Sequence, residues 1–472
     1  MNETWHPKPG DRVIHRPIKV HLRRVLRVPD LFSAGYGNVG SSIYYALGIV
    51  AVVALGATPV VLGIAGILFI FTALTYAEGT SMFPEAGGSA SFSKHSFNNL
   101  IGFTAGWALM LSYIVTISIS VFTIPPYLGL FWIPLKDTAE ISTAVSIGIV
   151  VLLMTVNIIG VKETSLINIL LAIIDIATQI SIIIIGLIFI FSPTIVWHRI
   201  IDNWPTIDNL ILGIALSTIA YTGIETISQM AEETRRPSVR VPRALILMIV
   251  TVPVVFMGLS IVAFSAMTPV QLASEWSRDP VAGIAANLPL ALLQDILRPI
   301  IAILAASILL VAANAGIMGI SRLSYYMANH GLQPLIFSRL HPRFKTPYVS
   351  IIIFGIVAIL ILIPGFFATD VFKNMGALYA FGSLLSFMFA HASIIALRIK
   401  KPQLERPFKI GLNIKINQRQ IPVSAILALI ILSAIWVIIF FTQPYSRYVG
   451  VAWMAIGLIF YYLLSHRTRR VV

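Results

Sequence analysis

The chain has 472 residues, 57% hydrophobic and only 11% charged, with a mean hydropathy of +0.89. A water-soluble globule carries roughly a quarter charged residues, so the composition excludes one and indicates a polytopic membrane protein. The net charge of +14 fits basic loops better than a nucleic-acid surface, and the lack of cysteine excludes disulfides and thiolate metal sites.

Twelve apolar stretches are long enough to cross a bilayer: 31–55, 59–81, 99–129, 139–160, 164–192, 209–230, 243–267, 292–322, 347–366, 370–397, 421–442 and 445–465. We number them spans 1 to 12. If the N-terminus is cytoplasmic, the inside segments hold 27 of the 33 Lys and Arg residues. Lys136, Arg199, Arg278, Arg298, Lys373 and Arg447 remain outside. Excess Lys and Arg marks cytoplasmic loops, so the expectation is a multi-pass cell-membrane protein with both termini cytoplasmic. The basic segment 1–30 has no cleavage-like site, which makes span 1 a retained anchor. Within it, Lys19–Val28 has the composition of a basic interfacial helix touching membrane lipid.

Span 1 contains "GYGNVGSSIYY", Gly35–Tyr45, with three glycines, an asparagine and two serines. Open backbone in a membrane survives only where protein or a water-filled cavity surrounds it, and solute carriers use such breaks to present amide and carbonyl groups. A second interruption lies five spans later, at Gly223 of span 6, with Glu225 two residues on. Small residues also let helices pack closely, which is the competing reading of span 1 alone. Two interruptions five spans apart, in a twelve-span chain, are difficult to attribute to packing alone.

Ionisable residues inside spans are costly and mark function by default. Glu225 either carries a proton or bonds across to a neighbouring helix. Asp175 in span 5 either couples transport to a proton or cation, or is capped by Thr178 or Gln179. His391 is expected near the cytoplasmic end of span 10. Glu78, Glu85, the "EETRR" run Glu232–Arg236 and Arg322 are expected to form salt bridges at the inner ends of the spans. Ser112, Tyr113, Thr116, Ser307, Asn314, Tyr379 and Ser383 read as interhelical hydrogen bonds or pathway lining.

These stretches together resemble the amino acid–polyamine–organocation (APC) family of secondary transporters. The resemblance rests on Gly37–Tyr44 in span 1, "FPEAGG" at Phe83–Gly88, Tyr221–Glu225 in span 6 with the "EETRRPSVRVPRA" tail, and "SRLSYYMANHGLQP" at Ser321–Pro334. It covers about residues 30–400. It implies a ten-helix core of two inverted five-helix repeats, residues 31–400, with two further helices, working by alternating access with the substrate between spans 1 and 6. A loop, 401–420, two added spans within 421–465 and a tail, 466–472, complete the expected organisation. Gly37, Asn38, Val39, Gly40, Ser41 and Ser42 would grip a carboxylate, while Ala220, Tyr221, Gly223 and Glu225 would complete the pocket, Tyr221 as an aromatic cover. Where some relatives have a gating tryptophan this chain has Ile219, and where many proton-coupled relatives have a lysine it has Asp175.

The sequence contains no nucleotide-binding loop, zinc-protease pair or nucleophile elbow, and no loop of domain size. Neither an enzyme, a metal, a cofactor nor a nucleic-acid partner is expected. The expected function is proton-coupled transport of an amino acid or related amine. A potassium or other cation symporter and a non-transporting sensor or subunit stay open. Substrate, coupling ion and oligomeric state are not legible.

Overall fold

A computed structural model describes residues 24–160, 165–368, 370–416 and 419–469. Eleven helical stretches among them are long and apolar enough to span a bilayer. The first runs for 55 residues, Val28–Met82, and holds two spans. Leu55, at φ 41°, turns the chain between them, so the crossings number twelve and return the chain to the face on which it began. The protein is therefore an all-α polytopic membrane protein, as its composition indicates.

The remaining spans are Asn99–Leu128, Ala139–Ile159, Ser165–Phe189, Ile207–Gln229, Pro237–Ala266, Ala291–Asn329, Tyr348–Phe366, Val371–Lys400, Val423–Thr442 and Pro444–Arg469. Burial separates them into two groups. The most apolar window of span 3 is entirely buried and that of span 6 is 83% buried, whereas those of spans 4 and 5 are 28% buried. A helix apolar on every side can sit in either place, so hydropathy alone did not distinguish the central spans from the lipid-facing ones.

Span 6 is interrupted as expected. Helix Ile207–Ser217 tightens to a 3₁₀ turn at Thr218–Tyr221, opens through Thr222, Gly223 (φ 111°) and Ile224, and resumes at Glu225–Gln229. Span 1 differs: it stays helical, with a 3₁₀ turn at Gly40–Ser42 between helices Val28–Val39 and Ile43–Ala54. The Gly40 N–H still bonds the Tyr36 carbonyl. The Ser41 and Ser42 hydroxyls both donate to the Asn38 carbonyl, at 2.9 and 3.4 Å. Hydroxyls that reach back to a carbonyl one turn earlier compete with the backbone ladder and distort it without opening it.

Several connecting elements were not foreseen, among them the short helices Pro269–Ser274 and Pro280–Ala286 between spans 7 and 8. A helix Ser89–Ser96 follows span 2, an amphipathic helix Pro193–Asp202 precedes span 6, and a two-stranded hairpin pairs Asn413–Ile416 with Arg419–Pro422. The expected interfacial helix Lys19–Val28 falls mostly outside the described residues. Its last part is extended rather than helical, since Val25 and Leu26 donate their N–H groups to the Glu233 carbonyl and Arg235 N–H returns to Leu26. The start of span 1 and the segment after span 6 are thus joined through backbone.

Candidate functional site

Spans 1 and 6 meet at Asn38. Its side-chain amide donates to Thr226 Oγ1 at 2.8 Å. A Cβ on Gly223 would fall 2.8 Å from the Asn38 side chain, so only glycine permits this approach, and its φ of 111° also favours glycine. Glu225 Oε2 accepts the Gly223 N–H at 3.1 Å, closing the interruption from below, while Oε1 has no partner.

Three buried tyrosines from three other spans, Tyr76, Tyr113 and Tyr379, feel the Glu225 charge. Their hydroxyls have no hydrogen-bond partner, nor does Asn38 Oδ1. Leaving a buried polar group unpaired costs roughly 1–3 kcal/mol, so such groups in one place mark a site rather than packing. Of the residues expected here, Gly37, Asn38, Val39, Gly40, Ser41, Ser42, Ala220, Gly223 and Glu225 are all buried at or near the junction. Tyr221 is turned away from span 1. Its ring lies between Phe69 and Phe256, 5.4 and 5.2 Å between centroids, with its hydroxyl against Gly66.

Asp175 forms a second, separate centre. It is fully buried and accepts from Tyr44 at 2.6 Å, Gln179 at 2.7 Å and Tyr36 at 3.0 Å. The Gln179 contact is the cap foreseen from sequence, whereas Thr178 bonds its own helix at Ile174. The two tyrosines were missed. Their signal was present: Tyr36, Gly40 and Tyr44 recur every four residues, which aligns them on one helix face. The Tyr44 carbonyl in turn accepts from Tyr127, and the Tyr127 hydroxyl also receives the Val281 N–H at 3.4 Å. A continuous chain of bonds therefore runs from Asp175 to the loop after span 7.

Glu78 and Glu233 pair with arginines as expected, whereas Glu85, expected to pair with an arginine, does not do so among the described residues. Glu78 is fully buried and bidentate to Arg398 at 2.6 Å for both oxygens, with Arg406 at 3.4 Å. Glu85 accepts from His95, Ser91 and Tyr326, and Arg322 pairs with Glu233 at 3.1 Å. His391 departs from expectation: it is fully buried, its two ring nitrogens bonded to Thr72 and Thr75. Span 10 extends to Lys400, which places His391 more than two turns inside. Asn314 bonds Asn157 of span 4, and Ser307 bonds its own helix. Among the described residues no His, Asp and Glu cluster could hold a metal ion.

Residues 26–464 match the amino acid permease family. The chain belongs to that family. It is 26% identical to the methylthioribose transporter of Bacillus subtilis over 99% of both chains. It is 26% identical to the branched-chain amino acid permease BcaP of the same organism over 94% of both, and 24% identical to the low-affinity putrescine importer PlaP of Escherichia coli over 94% of both. This permease is accordingly a membrane transporter and not an enzyme. The relatives' substrates span a neutral thiosugar, branched-chain amino acids and a diamine by name, so family membership fixes the activity class but leaves the substrate to the pocket.

Proposed function

We propose that this permease is a secondary active carrier that moves an amino acid or related amine across the cell membrane by alternating access, coupled to protons. The observation that carries the reading is the group of unpaired buried polar atoms where spans 1 and 6 meet: Asn38 Oδ1, Glu225 Oε1 and the hydroxyls of Tyr76, Tyr113 and Tyr379. Donors and acceptors converge there on a ligand able to both donate and accept. An ammonium satisfies Glu225 Oε1, and a carboxylate takes the tyrosine hydroxyls. The names of the amino acid and amine relatives support the same class.

Asp175 is assigned the coupling role. It is a carboxylate with three neutral donors and no cation partner among the described residues, on a span whose sides are largely left uncovered by protein. A charge so placed is costly, and neutralising it by a proton relieves the cost. Because Tyr36 and Tyr44 bracket the 3₁₀ turn of span 1, the protonation state of Asp175 is felt on both sides of that turn.

The test is uptake into proteoliposomes of purified protein, with leucine, alanine, lysine and putrescine as probes and an imposed pH gradient. An inward proton gradient accelerates uptake of one probe class. Asp175→Asn abolishes the pH dependence and retains binding of the same probe. Uptake driven by a potassium gradient alone, or pH-dependent uptake that survives Asp175→Asn, overturns the coupling assignment.

A further inference from the structure

On the face opposite the termini, a cavity of about 110 Å³ lies between the end of span 3, the loop after span 7 and the start of span 8. Its charged lining is Lys136, Asp279 and Arg298, and its walls include Tyr127, Trp276 and Ala282. We infer that this cavity is a second binding site, one that receives a small zwitterionic amino acid before it reaches the central junction. The ligand class rests on the amino acid reading above, and the site itself rests on its own geometry.

Lys136 and Asp279 pair at 2.7 Å, with the Lys136 ammonium 4.4 Å above the Trp276 ring. That pair uses one carboxylate oxygen. Asp279 Oδ1 has no partner, although the Asp279 side chain is only 5% exposed. Arg298 is half-buried and makes no hydrogen bond or ion pair among the described residues. The lining therefore offers one unpaired cation and one unpaired anionic oxygen. A simple anion leaves Asp279 Oδ1 unpaired, and a simple cation faces two positive side chains. An α-amino acid satisfies both, its carboxylate on Arg298 and its ammonium on Asp279. Cavities of about 150 Å³ accept the six carbons of benzene, so by the same proportion this one holds roughly four or five non-hydrogen atoms, the size of glycine.

The position gives the site a consequence. Tyr127 lines the cavity and also bonds the Tyr44 carbonyl in span 1. The loop carrying Asp279 covers span 1 closely, since a Cβ on Gly48 would strike the Ser277 carbonyl. A ligand ammonium on Asp279 therefore bears on the loop that covers span 1.

The chain has no cysteine, so a single one reports on the cavity without background. Ala282→Cys is labelled with a membrane-impermeant methanethiosulfonate, with glycine, L-alanine, acetate or methylammonium as probes. Glycine at ten times Kd slows labelling about tenfold, the free fraction that one occupied site leaves. The protection persists when Gly40→Leu disables the central junction, and it disappears with Arg298→Gln. Glu225→Gln replaces Gly40→Leu if the latter does not reach the membrane, and the unprotected labelling rate of each variant reports its folding. Absence of protection overturns the inference. Protection that survives Arg298→Gln but vanishes with Gly40→Leu assigns the signal to the central site and likewise overturns it. Equal protection by acetate overturns the zwitterion assignment.

Discussion

The Tyr36 ring lies across the bare α-carbon of Gly40: a Cβ there would fall 2.6 Å from the ring. The same ring carries the hydroxyl that bonds Asp175 at 3.0 Å. One function of this glycine is therefore to let a tyrosine one turn earlier fold down its own helix and reach span 5.

Gly40→Ala consequently acts through Asp175 as well as through the junction. The ring must move, and a hydrogen bond to a charged group is worth roughly 1.5–3 kcal/mol. Tyr36→Phe removes the same hydrogen bond while keeping the ring in place. Both variants are expected to lower the melting temperature of detergent-purified protein, Gly40→Ala the more. Equal melting of Gly40→Ala and the parent protein contradicts the packing described.

Gly223→Ala faces two penalties, a φ of 111° and a methyl 2.8 Å from the Asn38 side chain. Backbone held in such a region by a side-chain-bearing residue costs on the order of 1–3 kcal/mol. Relief comes by moving Asn38 off Thr226, so a substrate-dependent thermal shift is expected to vanish. Thr226→Val, which removes the acceptor alone, is expected to weaken that shift rather than abolish it.

Glu78 is held by two guanidinium groups and by the Ile410 N–H at 2.9 Å. Removing one partner of a buried ion pair costs roughly 3–5 kcal/mol because the other charge stays buried. Glu78→Gln is expected to lower thermal stability strongly and to loosen the 401–420 loop, which limited proteolysis reads directly. A near-parental melt would show that Arg398 finds water there.

Glu85 brings a pH dependence. Burial acts to raise its pKa, but hydrogen bonds from His95, Ser91 and Tyr326 outweigh it and lower the value from 4.5 to about 2. A carboxyl depressed in the folded state stabilises it above its unfolded pKa, and that stability is lost as pH falls through the folded value. The parent protein should therefore lose stability between about pH 4.5 and about pH 2 more steeply than Glu85→Gln. Parallel melting curves for the two across pH 5 to 3 would remove Glu85 as a contributor.

How much of this was legible differs from residue to residue. The twelve spans could be read because twenty-residue apolar runs have few alternatives in water. The span 6 interruption could be read because Gly223 beside Glu225 is costly unless backbone opens there. The span 1 motif was ambiguous: glycine permits an opening, a close approach or a ring laid over the helix, and the sequence does not say which. Here the third occurs at Gly40 and the second at Gly35, where a Cβ would meet Ile227 at 2.5 Å. His391 was misplaced because its burial comes from Thr72 and Thr75 of span 2, a packing that the sequence of span 10 does not show. Tyr221 was assigned by resemblance to a role that depends on rotamer, and its ring points to spans 2 and 7. Partners such as Tyr44 with Asp175, 131 residues apart, are set by packing alone.

The backbone tie between Val25–Leu26 and Glu233–Arg235 has a mechanical meaning. Two helix ends fastened by amide hydrogen bonds travel as one lever. Any opening toward the termini must then part that lever from its surroundings, at Arg322–Glu233 and at Glu232 on the Ala86 N–H. Both are partly exposed to solvent, and salt weakens such contacts more than buried ones. The effort needed to open this side is thus set partly by the ionic strength of the solution that bathes it.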